Sequence, residues 1–175
     1  MPAPVRTLVL ASTSPRRREL LARIGLEPAR VAAPEIDETP LKGELPRDYV
    51  ARLARDKALA VERALDEVVL AGDTTVAVGR RILEKPADEA DLRRMLALLS
   101  GRRHHVYSGI CVVGTDDRPR VRVVDTIVAF KALSAAEIDW YVETGEGMGK
   151  AGGYAIQGRA ETFVRFLSGS HSNVV

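Results

Sequence analysis

The sequence predicts an α/β protein built on a mixed β-sheet, and three observations support that fold class. Short apolar runs with the length of buried strands alternate with segments of helical periodicity. The segment Arg120-Val-Arg-Val123 alternates polar and apolar residues, as a half-exposed antiparallel strand does. Of the 175 residues, 46% are hydrophobic and 29% are charged, so the chain can form the core of a single domain.

Strands are predicted where an apolar run is bounded by turn-forming residues. The predicted strands span residues 8–11, 68–78, 105–113, 120–130 and 162–167, and a turn at Gly79-Arg-Arg81 adds a short strand at Ile82-Leu83. Polar residues, Gly72-Asp-Thr-Thr75, interrupt the apolar run at 68–78. This interruption makes the long strand the first candidate for a functional position.

Helix starts are marked by capping residues. Ser14-Pro15 places Ser at the N-cap and Pro at the first helical position, and Ser134-Ala-Ala-Glu137 is a capping box. Gly25 and Gly145 are the expected ends of these two helices. Two more helices are predicted, one from about Pro46 to Arg63 and one after Pro86-Ala-Asp88.

The charge balance argues against a general attraction to nucleic acid or membranes, because 26 basic residues against 24 acidic ones leave a net charge of +2. No apolar run approaches the roughly 20 residues of a membrane-spanning helix. Residues 1–6 lead directly into the first strand and do not form a signal peptide, so a cytoplasmic protein is expected. The single cysteine, Cys111, cannot form an internal disulfide and is expected in the core.

Three arginines, Arg16, Arg17 and Arg18, occupy the first turn of the first helix, where the positive end of the helix dipole disfavours cations. A phosphate group bound there would meet unpaired backbone N–H groups and guanidinium groups together. The alternative is a solvated basic turn that pairs with surface carboxylates.

Two charged residues fall where the pattern predicts burial. Lys57 lies on the apolar stripe of the second helix, where it would either extend to water or contact a triphosphate as a compact cation. Asp73 lies inside an apolar strand, so a metal, a cation or a hydrogen-bond donor is expected beside it. It would serve as a Mg²⁺ ligand or as the base that activates a water, or else as a structural carboxylate paired with arginine.

Two loops carry further candidates. Lys85 stands before a proline in Glu84-Lys-Pro86 and suits contact with phosphate, although an ordinary loop is the default interpretation. Glu35-Ile-Asp-Glu38 offers three carboxylates in four residues, enough oxygen ligands for Mg²⁺ or Mn²⁺, and an acidic surface loop is the equal alternative.

The glycine-rich segment 145–158 contains the G-x-G-x-x-G pattern at 147–152. It follows a helix, and no acidic residue lies about 20 positions further on, so a dinucleotide site is rejected. Gln157 can both donate and accept hydrogen bonds and could read the edge of a base, while the alternative for this flexible segment is a lid or hinge. The three histidines lack the spacing of metal ligands and are expected to be structural or exposed.

Six segments, in order over nearly the whole chain, together resemble the Maf family of nucleotide pyrophosphatases. They are Leu10-Ala-Ser-Thr-Ser-Pro-Arg-Arg17, Ala54-Arg-Asp-Lys-Ala58, Ala71-Gly-Asp-Thr74, Leu83-Glu-Lys-Pro86, Leu99-Ser-Gly101 and Lys150-Ala-Gly-Gly-Tyr-Ala-Ile-Gln-Gly158. The resemblance implies one domain over residues 1–175 with an inosine-triphosphatase-like fold, in which two lobes surround a long mixed sheet and the substrate binds in a central cleft.

The resemblance also implies an activity. Family members are house-cleaning hydrolases that use a divalent cation, Mg²⁺ or Mn²⁺, to cut nucleoside triphosphates to monophosphate and pyrophosphate. The catalytic acid corresponds to Asp73, and the phosphate or metal positions correspond to Ser12, Arg17, Glu38, Lys57 and Lys85. Lys57 and Lys85 are expected to act with Asp73 in catalysis, and Glu38 and Asp73 to bind the metal.

Three positions, Arg16, Thr74 and Gln157, resemble the subclass that acts on dTTP and UTP, whereas a sister subclass acting on 7-methyl-GTP typically has Trp, Gln and Glu there. The segments 12–14 and 34–39 are more similar to that sister subclass. The resemblance implies a homodimer, and no nucleic acid or membrane partner is expected. The alternative function is a nucleotide-binding regulator of septum formation with little turnover.

Overall fold

The computed structural model describes residues 7–175, and in them the chain forms seven strands of one mixed sheet. The strands are β1 (Thr7–Ala11), β2 (Arg30–Ala32), β3 (Glu67–Val78), β4 (Arg81–Leu83), β5 (Arg103–Val113), β6 (Pro119–Phe130) and β7 (Val164–Ser168). The helices are α1 (Pro15–Arg23), α2 (Pro46–Leu59), α3 (Glu89–Leu99), α4 (Ala135–Glu143) and α5 (His171–Val174), with 3₁₀ helices at Ala151–Gly153 and Arg159–Phe163. The predicted α/β fold class is confirmed.

Strand order in the sheet is β2-β1-β3-β5-β6-β7, and β4 pairs with β3 outside this path. β1 is parallel to both β2 and β3, with Ala11 opposite Ala71 in the second pair. Helices α1 and α2 supply the crossovers that parallel neighbours need. β4 is antiparallel to β3, and β7 is antiparallel to β6, so the sheet is mixed as predicted.

The described residues divide into two compact units, and the first comprises the residues up to Asp73 together with Gly109–Val123. Cys111 is fully buried in its core, as predicted, and burial raises the pKa of the thiol. The buried apolar residues that form this core are Val9, Ala11, Ala54, Ala58, Val69, Ala71, Cys111 and Val113.

The second unit comprises Thr74–Ser108 and Val124–Val175, and its core is rich in aromatic rings. Phe130 makes edge-to-face contacts with Tyr154 and Phe163. His104 is fully buried beside them, with Nε2 2.8 Å from the Tyr154 hydroxyl, and burial lowers the pKa of its ring to about 4. The ring is therefore neutral near pH 7 and has a structural role in this core.

Several boundaries differ from the prediction. α2 ends at Leu59 and not near Arg63, with Ala60 as its C-cap residue. The last strand begins at Val164, since the preceding residues form a 3₁₀ helix. Residues 1–6, where no signal peptide was predicted, lie outside the described residues. In the described part of the chain, no helix is long and apolar enough to cross a membrane.

Gly109 in β5 is predicted to be essential for packing in the first unit. A Cβ atom there would overlap the Val50 carbonyl oxygen of α2 and lie 2.6 Å from its carbon. Gly109→Ala is therefore expected to lower the free energy of unfolding by about 3 kcal/mol or more, since backbone cannot yield as a side chain can. The measurement is denaturant unfolding.

The matched control for that variant is Gly114→Ala, because a Cβ at Gly114 would approach only side chains, the nearest being Asp116 Oδ1 at 3.4 Å. This control is expected to change stability by less than about 1 kcal/mol. Equal losses in the two variants would contradict the packing explanation.

Candidate active site

Lys57 joins two carboxylates in the first unit. Helix α2 places it on the same face as Val50 and Leu53, which are fully buried, and its own side chain is 11% exposed. Lys57 Nζ lies 2.7 Å from Asp73 Oδ1 and 2.8 Å from Glu38 Oε1. Lys57 is therefore a cation in direct contact with Asp73, and it ends on carboxylates instead of extending to water.

Arg17 and Ser12 lie near the same carboxylates. Arg17 Nη1 donates to Ser12 Oγ at 2.9 Å, and the Ser14 N–H donates to the same oxygen at 3.2 Å. Burial lowers the pKa of the Arg17 guanidinium, and the nearby Asp73 carboxylate opposes this shift, with a smaller contribution from Glu38. The structure thus brings five predicted site residues together in one unit: Ser12, Arg17, Glu38, Lys57 and Asp73.

Gly72 gives Arg17 access to strand β3. A Cβ atom at Gly72 would lie 3.2 Å from the Gly109 carbonyl oxygen and 3.4 Å from Arg17 Nε. A larger residue would press on both. The glycine that interrupts the apolar strand therefore leaves the space in which the guanidinium lies.

The N-terminus of α1 lacks the usual side-chain cap. Ser14 is the N-cap residue and Pro15 occupies the first turn, as predicted, but the Ser14 side chain accepts no hydrogen bond from that turn. The described first turn contains no acidic residue, and Arg16 is half-buried beside exposed Arg18. The Ser14 side chain thus does not cap the backbone N–H groups at the start of α1, and the described first turn has no acidic side chain to balance the helix dipole.

Helix α2 also holds the acidic loop that carries Glu38. The Tyr49 hydroxyl donates to the main-chain oxygen of Glu38 at 2.8 Å, and Arg52 Nη2 donates to that of Thr39 at 3.1 Å. Arg52 is itself anchored on Glu44, with Nε 2.7 Å from Oε1. The roles of Tyr49 and Arg52 in holding this loop were not predicted from the sequence. Their spacing of three residues nevertheless places them on neighbouring positions of one helix face.

The three carboxylates of Glu35-Ile-Asp-Glu38 are not brought together at one point in the structure. Only Glu38 reaches Lys57, while Asp37 Oδ1 accepts the Thr39 N–H at 2.9 Å as part of a local turn. Within residues 7–175, no group of three or more His, Cys, Asp or Glu side chains is placed to hold a metal ion. The carboxylates that do come together are those of Glu38 and Asp73, around one ammonium group.

Three further predicted site residues, Thr74, Lys85 and Gln157, belong to the second unit. Thr74 follows Asp73 in β3, and its Oγ1 lies 2.8 Å from Ser108 Oγ, which donates to the main-chain oxygen of Asn173 at 3.1 Å. Lys85 is exposed on the segment that follows β4. Gln157 is also exposed, directly after buried Ile156.

Residues 152–156 of the glycine-rich segment are buried, where the sequence predicted a flexible loop. Gly152 and Gly153 have φ values of +69° and +72°, a conformation that favours glycine. A Cβ atom would lie 2.7 Å from Val76 Cβ at the first position and 2.5 Å from Leu92 Cδ1 at the second. Lack of space for a side chain, and not a need for mobility, accounts for the glycines at these two positions.

The family model described as Maf-like protein matches residues 7–175. The chain belongs to the Maf-like family. A protein of Sphingopyxis alaskensis named dTTP/UTP pyrophosphatase is 88% identical to this Maf-like chain over 168 residues, which cover 96% of the chain and 88% of that relative. A protein of Novosphingobium aromaticivorans with the same name is 58% identical over 169 residues, covering 96% of the chain and 84% of the relative.

Among solved structures, the Maf-like chain is similar to the Staphylococcus aureus Ham1 protein, with a TM-score of 0.52 at 19% sequence identity. The match covers 71% of this chain and 72% of that one. At this identity the similarity concerns the fold alone. The family resemblance predicted from the six sequence segments is confirmed by the family match.

Proposed function

We propose that this Maf-like chain is a nucleoside triphosphate pyrophosphatase that hydrolyses dTTP and UTP to the monophosphate and pyrophosphate. The name carried by the relatives at 88% and 58% identity supports the reaction and the substrates. The structural observation that supports the proposal is the contact of the buried Lys57 ammonium with the carboxylates of Asp73 and Glu38. A base, a second carboxylate and a cation in one place are what phosphoryl chemistry requires.

In this proposal, cationic groups hold the triphosphate. Arg17 offers a forked guanidinium near Asp73, Lys57 offers a compact ammonium, and exposed Lys85 adds a third cation. Ser12 lies at the N-terminal end of α1, whose unpaired N–H groups and dipole favour an anion. These groups stabilise the negative charge that shifts onto the leaving pyrophosphate.

Asp73 orients the attacking water and takes its proton. The water oxygen forms a bond to the α-phosphorus, the bond from that phosphorus to the oxygen bridging to the β-phosphate breaks, and pyrophosphate leaves with the electron pair. Lys57 Nζ holds Asp73 Oδ1 at 2.7 Å, so we assign the water to Oδ2 of the same carboxylate. The lysine fixes the orientation of this carboxylate.

The two carboxylates suit a divalent cation whose remaining ligands come from the substrate. Glu38 and Asp73 supply two carboxylates, and Mg²⁺ is commonly bound by one or two carboxylates together with substrate phosphates. These two residues would hold Mg²⁺ or Mn²⁺, which when bound supplies Lewis-acid neutralisation of phosphate charge. Lys57 would then keep its contact with one or both acids while the phosphates enter.

Base selection is assigned to Arg16, Thr74 and Gln157. The exposed Gln157 amide can donate to a carbonyl oxygen of thymine or uracil and accept from an N–H of the same edge. Arg16 stands directly before Arg17 in α1, which is assigned to the triphosphate, and Thr74 stands directly after Asp73 in β3, which is assigned to the attacking water.

The direct test gives purified protein dTTP, UTP, dCTP, GTP and 7-methyl-GTP in turn, with Mg²⁺ or Mn²⁺. Pyrophosphate and orthophosphate are measured separately. We expect pyrophosphate from dTTP and UTP, little product from the others, and loss of turnover when EDTA is added.

Three outcomes would contradict parts of the proposal. Orthophosphate as the product would place the cleavage at the γ-phosphate. Preference for 7-methyl-GTP would place the chain with the sister subclass. Binding of dTTP without pyrophosphate release would favour the nucleotide-binding regulator.

The remaining expectations stay predictions. They are that residues 1–175 form one catalytic domain, that the chain forms a homodimer in the cytoplasm, and that it binds neither nucleic acid nor membranes. Light scattering of the purified protein tests the homodimer.

A further inference from the structure

Gln157 is an exposed side chain on an anchored backbone. The residues before it, Tyr154, Ala155 and Ile156, are each 5% exposed or less, and Ala160 after it is fully buried. A glutamine that reads a base must be held to a fraction of an ångström, because hydrogen bonds weaken steeply with geometry. The contacts that fix this stretch of backbone therefore matter for selectivity.

Glu146, in the turn after α4, holds the far end of that stretch. Its carboxylate oxygens accept the Arg159 N–H at 3.1 Å and 3.0 Å. The backbone of Glu146 is itself fixed, because its N–H donates to Thr144 Oγ1 and its carbonyl oxygen accepts from Lys150 Nζ. The Glu146 carboxylate thus fixes the backbone N–H of Arg159, two residues beyond Gln157.

Gly158, next to Gln157, makes room for this carboxylate. A Cβ atom at Gly158 would lie 2.5 Å from Glu146 Cδ and 2.7 Å from Oε2. The φ of Gly158, −115°, lies outside the left-handed region that favours glycine. The Glu146 carboxylate occupies the space that a side chain at position 158 would need.

Tyr141 of α4 holds the near end. Its hydroxyl oxygen accepts the Ala155 N–H at 3.1 Å. Burial raises the pKa of this phenol, and the nearby Glu146 carboxylate raises it further. Tyr141 and Glu146 therefore each bind the backbone, one on either side of Gln157.

We infer that Glu146 is a positioning residue for base recognition, which fixes the backbone that carries Gln157 and so sets the discrimination between pyrimidine triphosphates. This inference rests on the proposed base-reading role of Gln157. A merely structural Glu146 would affect stability and overall rate, but it would not alter the choice between two substrates that differ only in the base.

The readout is the ratio of kcat/KM for dTTP to kcat/KM for dCTP. These substrates share the sugar and the triphosphate, so a loss of folded protein or of phosphate catalysis cancels in the ratio. We expect Glu146→Ala to lower the ratio by about tenfold, because the glutamine no longer meets the base edge in one geometry.

Two further variants separate positioning from folding. Gly158→Ala should lower the ratio similarly while Glu146 is still present, since the methyl group would occupy the position of the Glu146 carboxylate. Glu146→Gln keeps an acceptor of the same size and should retain at least about half of the wild-type ratio. The double variant Glu146→Ala/Gly158→Ala should be no worse than either single change, because both remove the same contact.

Glu143→Ala is the matched control, because Glu143 is exposed at the end of α4 three residues before Glu146. Its ratio should equal that of the wild type, and thermal melting of every variant reports folding. An unchanged ratio in both Glu146→Ala and Gly158→Ala would overturn the inference.

Gln157→Ala distinguishes base reading by Gln157 from positioning by Glu146. If it lowers the ratio and Glu146→Ala does not, base reading by Gln157 stands and the positioning role of Glu146 is wrong. If Gln157→Ala leaves the ratio unchanged, the proposed role of Gln157 fails and the inference fails with it. Should the wild type release no pyrophosphate, the same ratios are taken from dissociation constants for dTTP and dCTP.

Discussion

Replacing Asp73 by asparagine is expected to lower kcat for dTTP by about 10²- to 10⁴-fold, the range that a positioned general base contributes. Asparagine has nearly the same size, and its carbonyl oxygen can still accept a hydrogen bond from Lys57. It cannot take a proton from water. The variant should therefore fold and bind nucleotide, and pyrophosphate release reports the loss.

Asp48→Asn is the control for this experiment, because Asp48 is an exposed aspartate in the first turn of α2. Its kcat should stay within about twofold of the wild type, since exposed substitutions seldom act beyond their surroundings. A kcat within tenfold of the wild type for Asp73→Asn would remove Asp73 from the role of base.

Lys57→Met is expected to reduce both stability and activity. Methionine keeps much of the apolar length of lysine but removes the cation that contacts the Asp73 carboxylate, which is 11% exposed, and leaves Arg17 as the nearby cation. Breaking a buried ion pair from one side costs about 3–5 kcal/mol. Glu38 is 49% exposed and can turn toward water, so we expect the lower end of that range, measured by denaturant unfolding.

Combining the variants tests the cause of that destabilisation. In Lys57→Met/Asp73→Asn the uncompensated charge is gone, so part of the lost stability should return while turnover stays absent. Lys42→Met, at an exposed lysine, should change stability by less than about 0.5 kcal/mol. A double variant that loses the sum of the two single losses would show that the ion pair is not what stabilises this position.

The sequence pattern located two buried charged residues, Lys57 and Asp73, for a physical reason. A lysine on an apolar helix stripe and an aspartate in an apolar strand each require a partner, and the pattern alone reveals that requirement. The partner itself is not visible in the pattern. That Lys57 meets both Asp73 and Glu38 depends on how α2 packs against β3, which joins residues 16 positions apart in the chain.

Other features could not be predicted because they depend on tertiary pairing. β2 is three residues long and largely exposed, and it exists because Arg30, Val31 and Ala32 lie in register with β1. The carboxylate of Glu146 reaches a backbone N–H 13 positions away, in a segment with no periodic pattern. Local capping signals, in contrast, identified the starts of α1 and α4 correctly.

The cluster of Lys57, Arg17, Asp73 and Glu38 is electrically balanced, since its formal charges cancel. A balanced cluster produces only a weak field at a distance, so encounter with a polyanionic nucleotide gains little from long-range attraction. Recognition then relies on short-range contacts made after arrival. A nucleotide that already carries its divalent cation meets less repulsion from the two carboxylates. The rate of productive binding should therefore follow the concentration of the metal–nucleotide complex and not that of the bare nucleotide.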